Sequence, residues 1–191
     1  MIQLENVHFG YEKNRKLFDG VNWQLEAGHL YGLLGRNGAG KTTLLKIMTG
    51  LLFPQDGHAL IDGQPAHNRS ARQLGDVCFL QEEIYVPHLK INQFEKAFAP
   101  FYPNFSHEQF VNYLNELEME NMNGFIDKFS HGQKKKVMIA FSLATNVPTL
   151  IMDEPTAALT RNESEELYRI TEKLRDDGKS VIFISHRLED M

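Results

Sequence analysis

Residues 33–45, LLGRNGAGKTTLL, decide the fold. Within them, residues 35–42 fit the pattern G-x-x-x-x-G-K-[ST], a glycine-rich loop that ends in Lys41 and Thr42. The apolar residues on either side predict a short strand over residues 27–35 and a helix over residues 41–50. A strand, a glycine-rich loop and a helix in direct succession are the context that a phosphate-binding loop requires.

The chemistry of this loop suits a nucleoside triphosphate. Backbone N–H groups can surround its dense negative charge only where no Cβ intrudes, which Gly38 and Gly40 permit. The positive end of the following helix would also face the phosphates. Lys41 is expected to reach the β- and γ-phosphates, and Thr42 to hold Mg²⁺ through its hydroxyl. The alternative is a plain glycine-rich turn with an exposed lysine. The candidate nucleotide-binding residues of this segment are Gly35, Arg36, Asn37, Gly38, Ala39, Gly40, Lys41, Thr42 and Thr43.

An acidic pair, Asp153 and Glu154, ends the apolar run LIMDE. Because the carboxyl ends of strands in a parallel sheet face the ligand, this pair is expected beside the loop. Asp153 would hold Mg²⁺, largely through water, and Glu154 would polarise an attacking water. The alternative is an acidic pair that caps the next helix.

The 191 residues are 42% hydrophobic and 24% charged with a net charge of −5, which is typical of one globular domain. No global basic excess indicates nucleic acid, so none is expected as a partner. Cys78 is the single cysteine, which excludes an internal disulfide and favours a reducing compartment. There is no apolar run of about 18 residues and no signal peptide. The sequence therefore predicts a cytoplasmic protein that meets a membrane only through a partner.

Predicted strands alternate with predicted helices, which favours an α/β fold with a central, mostly parallel sheet. Residues 91–129 carry leucines, phenylalanines and acids at helical spacing, and they predict a small helical insertion with Ser106 as an N-cap. Further strands are predicted over residues 2–9, 17–26 (with a turn at Asp19-Gly20), 58–63, 75–81, 149–155 and 180–186, and further helices over residues 131–146 and 161–177.

Four more motifs stand in a fixed order with the loop and the acidic pair, and together they carry a family resemblance. Tyr11 in FGYEKN resembles the aromatic residue that stacks on adenine in ABC transporter ATP-binding proteins. Gln81 in FLQEE resembles their Q-loop glutamine, and FSHGQ at residues 129–133 resembles their LSGGQ signature. His186 in ISH resembles their switch histidine. The chain resembles the nucleotide-binding domain of this family over nearly its whole length. Taken alone, each of the three single residues would be an ordinary surface or strand-end residue.

The resemblance implies a single domain over residues 1–191 with a P-loop NTPase fold. That fold has a central, mostly parallel sheet, an N-terminal antiparallel β subdomain and a helical subdomain at about residues 88–145. It further implies a transmembrane permease subunit as partner and a head-to-tail homodimer that forms on ATP binding.

In such a dimer each ATP would lie between the glycine-rich loop of one subunit and the signature of the other. Ser130, the backbone N–H of Gly132 and Gln133 would contact the nucleotide from across the interface. Gln81 would contact the Mg²⁺ or the water, and His186 would contact the γ-phosphate and the catalytic carboxylate.

Three features depart from the family pattern. His131 stands in the signature where glycine is usual; it would add at least about 1 kcal/mol of strain if its φ were positive, but would cost little at a helix N-terminus. Thr160 stands where most members have an aspartate that helps to couple the two sites. The chain ends at Met191, whereas the family continues with further strands and a helix, so a truncated C-terminus is expected.

The segments resemble different branches of the family. Residues 101–110 and 129–146 resemble bacterial antibiotic and lantibiotic exporter ATPases, whereas residues 153–160, DEPTAALT, resemble sugar-importer ATPases. Export is favoured because the helical insertion is the part expected to face the membrane partner. The lysine run at 134–136 is predicted to be a solvated helix face. The phenylalanines of the insertion are predicted to form its core, and a groove for the membrane partner is the alternative.

The expected function is Mg²⁺-dependent ATP hydrolysis that drives a dimer cycle and thereby transport, with Lys41, Gln81, Glu154 and His186 as the catalytic residues. Two alternatives remain open. One is a soluble ABC-type ATPase without a transporter partner, and the other is an ATP-binding module with impaired hydrolysis.

Overall fold

The computed structural model describes residues 1–12, 15–120 and 122–184, so His186 lies outside the described residues. The strands are β1 (Ile2–Phe9), β2 (Phe18–Leu25), β3 (Leu30–Leu33), β4 (Asp56–Ile61), β5 (Gln64–Pro65), β6 (Val77–Leu80), β7 (Thr149–Asp153) and β8 (Ser180–Ile184). The helices are α1 (Lys41–Met48), α2 (Ala71–Asp76), α3 (Ile91–Phe98), α4 (His107–Glu116), α5 (His131–Ala144) and α6 (Arg161–Asp176). Short 3₁₀ turns span Ala66–Asn68, Ala99–Phe101 and Ile126–Lys128.

A parallel sheet with the strand order β3-β8-β7-β6 forms the centre of the fold. Strands β7 and β8 are buried at every position, as expected for continuous apolar runs covered on both faces. Leu33 and Asp153 both pair with Ile184, and Leu80 pairs with Met152. The loops that follow β3, β6 and β7 therefore leave the sheet at the same edge.

A second, antiparallel sheet has the strand order β2-β1-β4-β5. Its buried residues Ile2 and Ile61 share one hydrophobic cluster with Leu45 of α1 and with Ile151 and Ile182 of the parallel sheet. Helix α1 therefore packs in the same core as both sheets. Because α1 is the helix that follows the glycine-rich loop, this packing fixes where the loop lies.

The helical insertion lies between β6 and β7 and has an aromatic core. The Phe141 ring lies 5.0 Å from Phe94 and 5.8 Å from Phe110, measured between centroids. Two other phenylalanines face outward, since Phe98 is 37% and Phe101 69% exposed. The predicted core is therefore confirmed for Phe94 and Phe110, and the groove for a membrane partner stays a prediction for the exposed phenylalanines. None of the helices in the described part of the chain is both long and apolar enough to cross a bilayer.

The expected α/β fold, with parallel and antiparallel sheets and a helical insertion, is confirmed, as is Ser106 as an N-cap: its hydroxyl accepts a hydrogen bond from the backbone N–H of Gln109. The turn predicted at Asp19-Gly20 is wrong. Both residues lie inside β2, where Gly20 has φ +76° beside a shift in register. This left-handed residue forms an irregularity in the strand instead of ending it.

The strand predicted over residues 75–81 begins two residues before the observed strand β6 (Val77–Leu80). Gly75 and Asp76 belong to α2, a helix that the hydrophobic pattern does not predict. A capping box of Ser70 and Gln73 begins this helix, and the S-x-x-Q spacing is the sequence signal that indicates it. The strand predicted over residues 27–35 is likewise reduced to the four residues of β3.

Candidate nucleotide-binding site

A cavity of about 580 Å³ opens at the edge where the parallel strands end. The glycine-rich loop, the start of α1 and the acidic end of β7 all line it. Its lining residues are Tyr11, Glu12, Arg15, Lys16, Leu17, Asn37, Gly38, Gly40, Lys41, Thr42, Thr43, Glu82, Asp153, Glu154 and Ile184. The two predicted halves of the site therefore meet in one cavity.

The loop backbone takes the conformation for which glycine is needed. Gly38 has φ +78° and Gly40 φ +95°, both in the left-handed region. A Cβ on Gly40 would also come within 2.9 Å of the Phe18 ring. Gly40 is the N-cap residue of α1 and leaves the N–H groups of the first turn without a side-chain cap. Such N–H groups at a helix start are suited to bind an anion.

Lys41 lies against the loop that it follows. Its ammonium donates hydrogen bonds to the carbonyl oxygens of Gly35, at 2.7 Å, and Arg36, at 3.3 Å. The N–H of Ala39 closes the loop by donating to the same Arg36 carbonyl, at 3.1 Å. Gly35, Arg36 and Ala39 do not line the cavity; here they shape the loop and hold the lysine, and their contact with nucleotide stays a prediction.

Tyr11 stands at the side of the cavity. Its hydroxyl lies 3.0 Å from the Thr43 Oγ1, and its ring packs edge-on against Phe9 with 5.0 Å between centroids. The ring is nevertheless 70% exposed. An exposed aromatic face that is fixed beside the loop suits stacking on a nucleobase, although the contact with adenine stays a prediction.

Asp153 is almost fully buried, at 1% exposure. Among the described residues, neither of its carboxylate oxygens has a hydrogen-bond partner in good geometry. Burial raises the pKa of this carboxyl; the Thr42 hydroxyl and the charges of Lys135 and Lys46 oppose the rise, and the charge of Glu82 adds to it. Buried carboxylate oxygens beside a threonine hydroxyl are ligands that Mg²⁺ accepts, so Asp153 and Thr42 fit this ion.

Glu154 has an unusual backbone conformation. Its φ is +47°, the left-handed region that non-glycine residues seldom adopt, at a cost of about 1–3 kcal/mol. The side chain is buried, and Glu154 lines the cavity together with Asp153, the residue before it in the sequence. Such strain is concentrated at active sites, where it directs a side chain. Thr160, and not this acidic pair, caps α6, through a capping box with Glu163.

The segment after β6 is arranged differently from the expectation. Gln81 is exposed and lines a second cavity of about 470 Å³, whereas its neighbour Glu82 lines the nucleotide cavity. The proposed contact of Gln81 with Mg²⁺ stays a prediction. Sequence reasoning missed Glu82, although its position next to a strand end was the signal available.

The FSHGQ segment begins α5 and does not line the cavity. The Ser130 hydroxyl accepts a hydrogen bond from the Gln133 N–H at 3.2 Å, and the Gln133 side chain accepts one from the Ser130 N–H at 3.0 Å. His131 is the first residue of the helix and has no positive φ, so it costs little. A Cβ on Gly132 would lie 3.1 Å from the Ala158 carbonyl oxygen.

The prediction that the lysine run at 134–136 is a solvated face is wrong. Lys135 is only 1% exposed, and Lys136 forms a salt bridge of 2.5 Å with the buried Glu163. Burial tends to raise the pKa of Glu163, but hydrogen bonds from Lys136 and the Thr160 backbone outweigh it and lower that pKa. Tertiary contacts, which the local charge pattern does not contain, explain the difference.

A glycine-rich loop between a parallel strand and a helix, with an acidic strand end in the same cavity, defines a P-loop NTPase. The sequence profile described as "ABC transporter" matches residues 18–157. The chain therefore belongs to the ATP-binding proteins of the ABC transporter family. It is an ABC ATPase domain, and this family uses ATP with Mg²⁺.

Two curated relatives are ribose import ATP-binding proteins named RbsA. The protein from Rhodopirellula baltica is 36% identical over all of this chain and 41% of its own length. The protein from Caldanaerobacter subterraneus is 34% identical over 93% of this chain and 38% of its own length. The chain thus spans about two fifths of these relatives. Their names are those of importers, so the expected resemblance to exporters is not confirmed.

Two solved structures share the fold over the whole chain. One is the dimeric structure of MJ0796, a bacterial ABC transporter cassette, with 26% identity, a TM-score of 0.87 and 90% of that chain covered. The other is a dimeric post-hydrolysis state of MJ0796 bound to ADP and Pi, with 25% identity, a TM-score of 0.86 and 90% of that chain covered.

Asp153→Asn is expected to stabilise the chain in the absence of nucleotide and Mg²⁺. The folded-state pKa of Asp153 is raised above 3.8, so the folded chain binds this proton more tightly and ionisation at neutral pH destabilises it. The melting temperature at pH 7.5 in EDTA should rise, by about 2–4 °C for each kcal/mol gained.

The gain should shrink as the pH falls towards 3.8, because Asp153 then becomes protonated in the parent chain. The exposed Asp177→Asn is the matched control and should leave the melting temperature unchanged. A lower melting temperature for Asp153→Asn would mean that the carboxylate is favourably bound in the folded chain.

Proposed function

We propose that this chain is the ATP-hydrolysing subunit of an ABC importer, working in the cytoplasm against the membrane and bound to a transmembrane permease subunit. The observation that carries the proposal is that Lys41, Thr42, Asp153 and Glu154 line one cavity at the carboxyl edge of the parallel sheet. An ammonium, a hydroxyl and two carboxylates are the groups that phosphoryl transfer to water requires.

In the proposed reaction the protein contributes placement and charge more than covalent chemistry. The loop N–H groups and Lys41 would bind the phosphates, and Thr42 and Asp153 would hold Mg²⁺, which neutralises charge on the phosphate oxygens. Glu154 would orient the attacking water and accept its proton. Burial of Asp153 and Glu154 favours this chemistry because electrostatic interactions are stronger where water is excluded.

The proposal includes a head-to-tail homodimer that forms on ATP binding. Ser130, Gly132 and Gln133 do not line the cavity of their own chain, so they could contact ATP only from a second copy. Ser130 is fixed as a helix cap, and the N-terminus of α5 is suited to an anion. The dimeric MJ0796 cassette, which shares the fold, supports this arrangement.

The second cavity is the proposed docking site for the permease. It lies where α2 and β6 meet the end of α3, and Gln81 lines it. Leu74, Phe98 and Phe101 line it as well and are each more than a third exposed. Exposed apolar side chains around a groove are typical of protein–protein contact sites. Gln81 would then connect this groove to the neighbouring Glu82 in the nucleotide cavity.

Import of a sugar is the proposed direction, and the names of the ribose import relatives support it over export. Purification of the chain with its membrane partner, followed by reconstitution into vesicles with ATP on the side of the chain, tests it. Labelled pentose is expected to accumulate on the side of the vesicle membrane that carries the chain and ATP. Accumulation on the other side of the membrane would contradict the proposal.

The ATPase activity itself is tested by phosphate release from the purified chain. Release should require Mg²⁺, stop in EDTA and rise more steeply than linearly with chain concentration, because two chains form each site. An absence of phosphate release despite saturable ATP binding would favour a binding module over an enzyme.

Ser130→Ala is expected to separate the structural and functional roles of the signature. Loss of the cap should cost about 1 kcal/mol of folding free energy, as should Ser106→Ala, which removes the cap of α4 by the same change. Both variants should melt a few degrees lower, but only Ser130→Ala should lose phosphate release. Equal activity of the two variants would remove Ser130 from the proposed site.

A further inference from the structure

Lys135 is a charged side chain in the interior of the chain. It lies one turn after the start of α5 and is only 1% exposed. Its ammonium donates hydrogen bonds to the backbone carbonyls of Gln81, at 3.3 Å, Glu82, at 3.4 Å, and Asp153, at 3.3 Å. A lysine ammonium has three N–H donors, so the three carbonyls match its full donor capacity.

Placing this charge in the interior is unfavourable in itself. Burial lowers the pKa of the Lys135 ammonium, while the negative charges of Asp153, Glu82 and Glu154 oppose that change. An apolar side chain of similar volume would fill the same space without this cost. The presence of a lysine at this buried position is therefore better explained by the segments that its hydrogen bonds connect than by stability alone.

The three carbonyls belong to two segments that border the nucleotide cavity. Gln81 and Glu82 directly follow β6, and Asp153 ends β7; these strands are neighbours, with Leu80 paired to Met152. Lys135 itself belongs to the helix that begins with the signature. One side chain thus binds the signature helix, the segment after β6 and the acidic strand end at a single point.

We infer that Lys135 is a positioning residue that holds the Gln81–Glu82 segment and the acidic end of β7 in register with the signature helix. Its positive charge also interacts with the negative charges of Asp153, Glu82 and Glu154. When the signature helix or Gln81 moves, the hydrogen bonds of this ammonium move the acidic end of β7 with it. The position of Glu154, which orients the water, changes as a result. The inference rests on the proposed ATPase function.

Lys135→Met and Lys135→Gln test it. Methionine is an unbranched side chain one atom shorter and without N–H donors, and glutamine keeps two donors without charge. For Lys135→Met the kcat for ATP should fall about 10- to 100-fold, since a misplacement of about 1 Å near the reacting atoms can cost about 100-fold. The affinity for Mg-ATP should fall much less than kcat, because Lys135 does not line the cavity and the loop with Lys41 keeps its place.

Lys135→Gln should retain an intermediate kcat, and Lys173→Met, which removes the same charge from the exposed side of α6, should retain the parent value. Parent kcat in a folded Lys135→Met variant would overturn the inference while leaving the ATPase proposal intact. Equal losses of kcat and of ATP affinity would also overturn the inference, and so would failure of both Lys135 variants to fold. Either result would make Lys135 a general structural residue. No hydrolysis by the parent chain would instead overturn the proposed function on which the inference rests.

Discussion

Lys41→Met should weaken Mg-ATP binding by at least about 100-fold. The ammonium is expected to form hydrogen bonds with two phosphate groups, and hydrogen bonds to charged groups contribute about 1.5–3 kcal/mol each. Loss of about 2.7 kcal/mol corresponds to about 100-fold in the dissociation constant. Calorimetric titration of the parent and the variant measures the difference.

The fold should survive this substitution. The Lys41 hydrogen bonds to the loop carbonyls are exposed, so water can replace them. The melting temperature without nucleotide should stay within about 2 °C of the parent value, the range of an ordinary surface change. Lys96→Met is the matched control, because it removes one positive charge from an exposed position of α3. This variant should bind Mg-ATP with the affinity of the parent chain. Equal affinity of the Lys41 and Lys96 variants would contradict the assignment of the loop.

Glu154→Gln should lower the rate of ATP hydrolysis by about 100- to 10,000-fold, the range for removal of a general base. An amide of the same shape cannot accept the proton of the attacking water, but it leaves the phosphate contacts in place. ATP should therefore remain bound, and the dimer should accumulate instead of dissociating. Size-exclusion chromatography in the presence of Mg-ATP would show the dimer as a species with twice the mass of the single chain.

Glu172→Gln, at an exposed position on α6, is the control and should both turn over ATP and dissociate as the parent does. Retention of the parent hydrolysis rate by Glu154→Gln would move the general base to another residue. In that case Glu82, which lines the same cavity, is the next carboxylate to replace.

The position of the site could be predicted because it depends on local patterns and one property of parallel sheets. The glycine-rich motif indicates its loop without tertiary information. The sheet rule then brings the acidic end of β7 to the same edge, and the register of Leu33 and Asp153 against Ile184 agrees with it.

The burial of Lys135 could not be predicted in the same way. A run of three lysines indicates a solvated face unless the surrounding structure supplies acceptors. The acceptors of Lys135 are backbone carbonyls at residues 81, 82 and 153, which no side-chain pattern reveals. For the same reason the sequence left open whether His131 is strained, because the answer depends on where α5 begins.

Helix α2 was missed for a different reason. It has only six residues and directly precedes β6, so its hydrophobic period is too short to separate from the strand pattern. The Ser70–Gln73 capping box was the better guide, since a cap depends on two residues at fixed spacing instead of a period.

The central claim is that the loop around Lys41 and the acidic end of β7 form one site for Mg-ATP. Titration of the purified chain with ATP, in Mg²⁺ and again in EDTA, tests it most directly. We expect saturable binding of about one ATP per chain that weakens when Mg²⁺ is removed, because Thr42 and Asp153 would then lose the ion that joins them to the phosphates. No saturable binding in the presence of Mg²⁺, or the same affinity in EDTA, would contradict the claim.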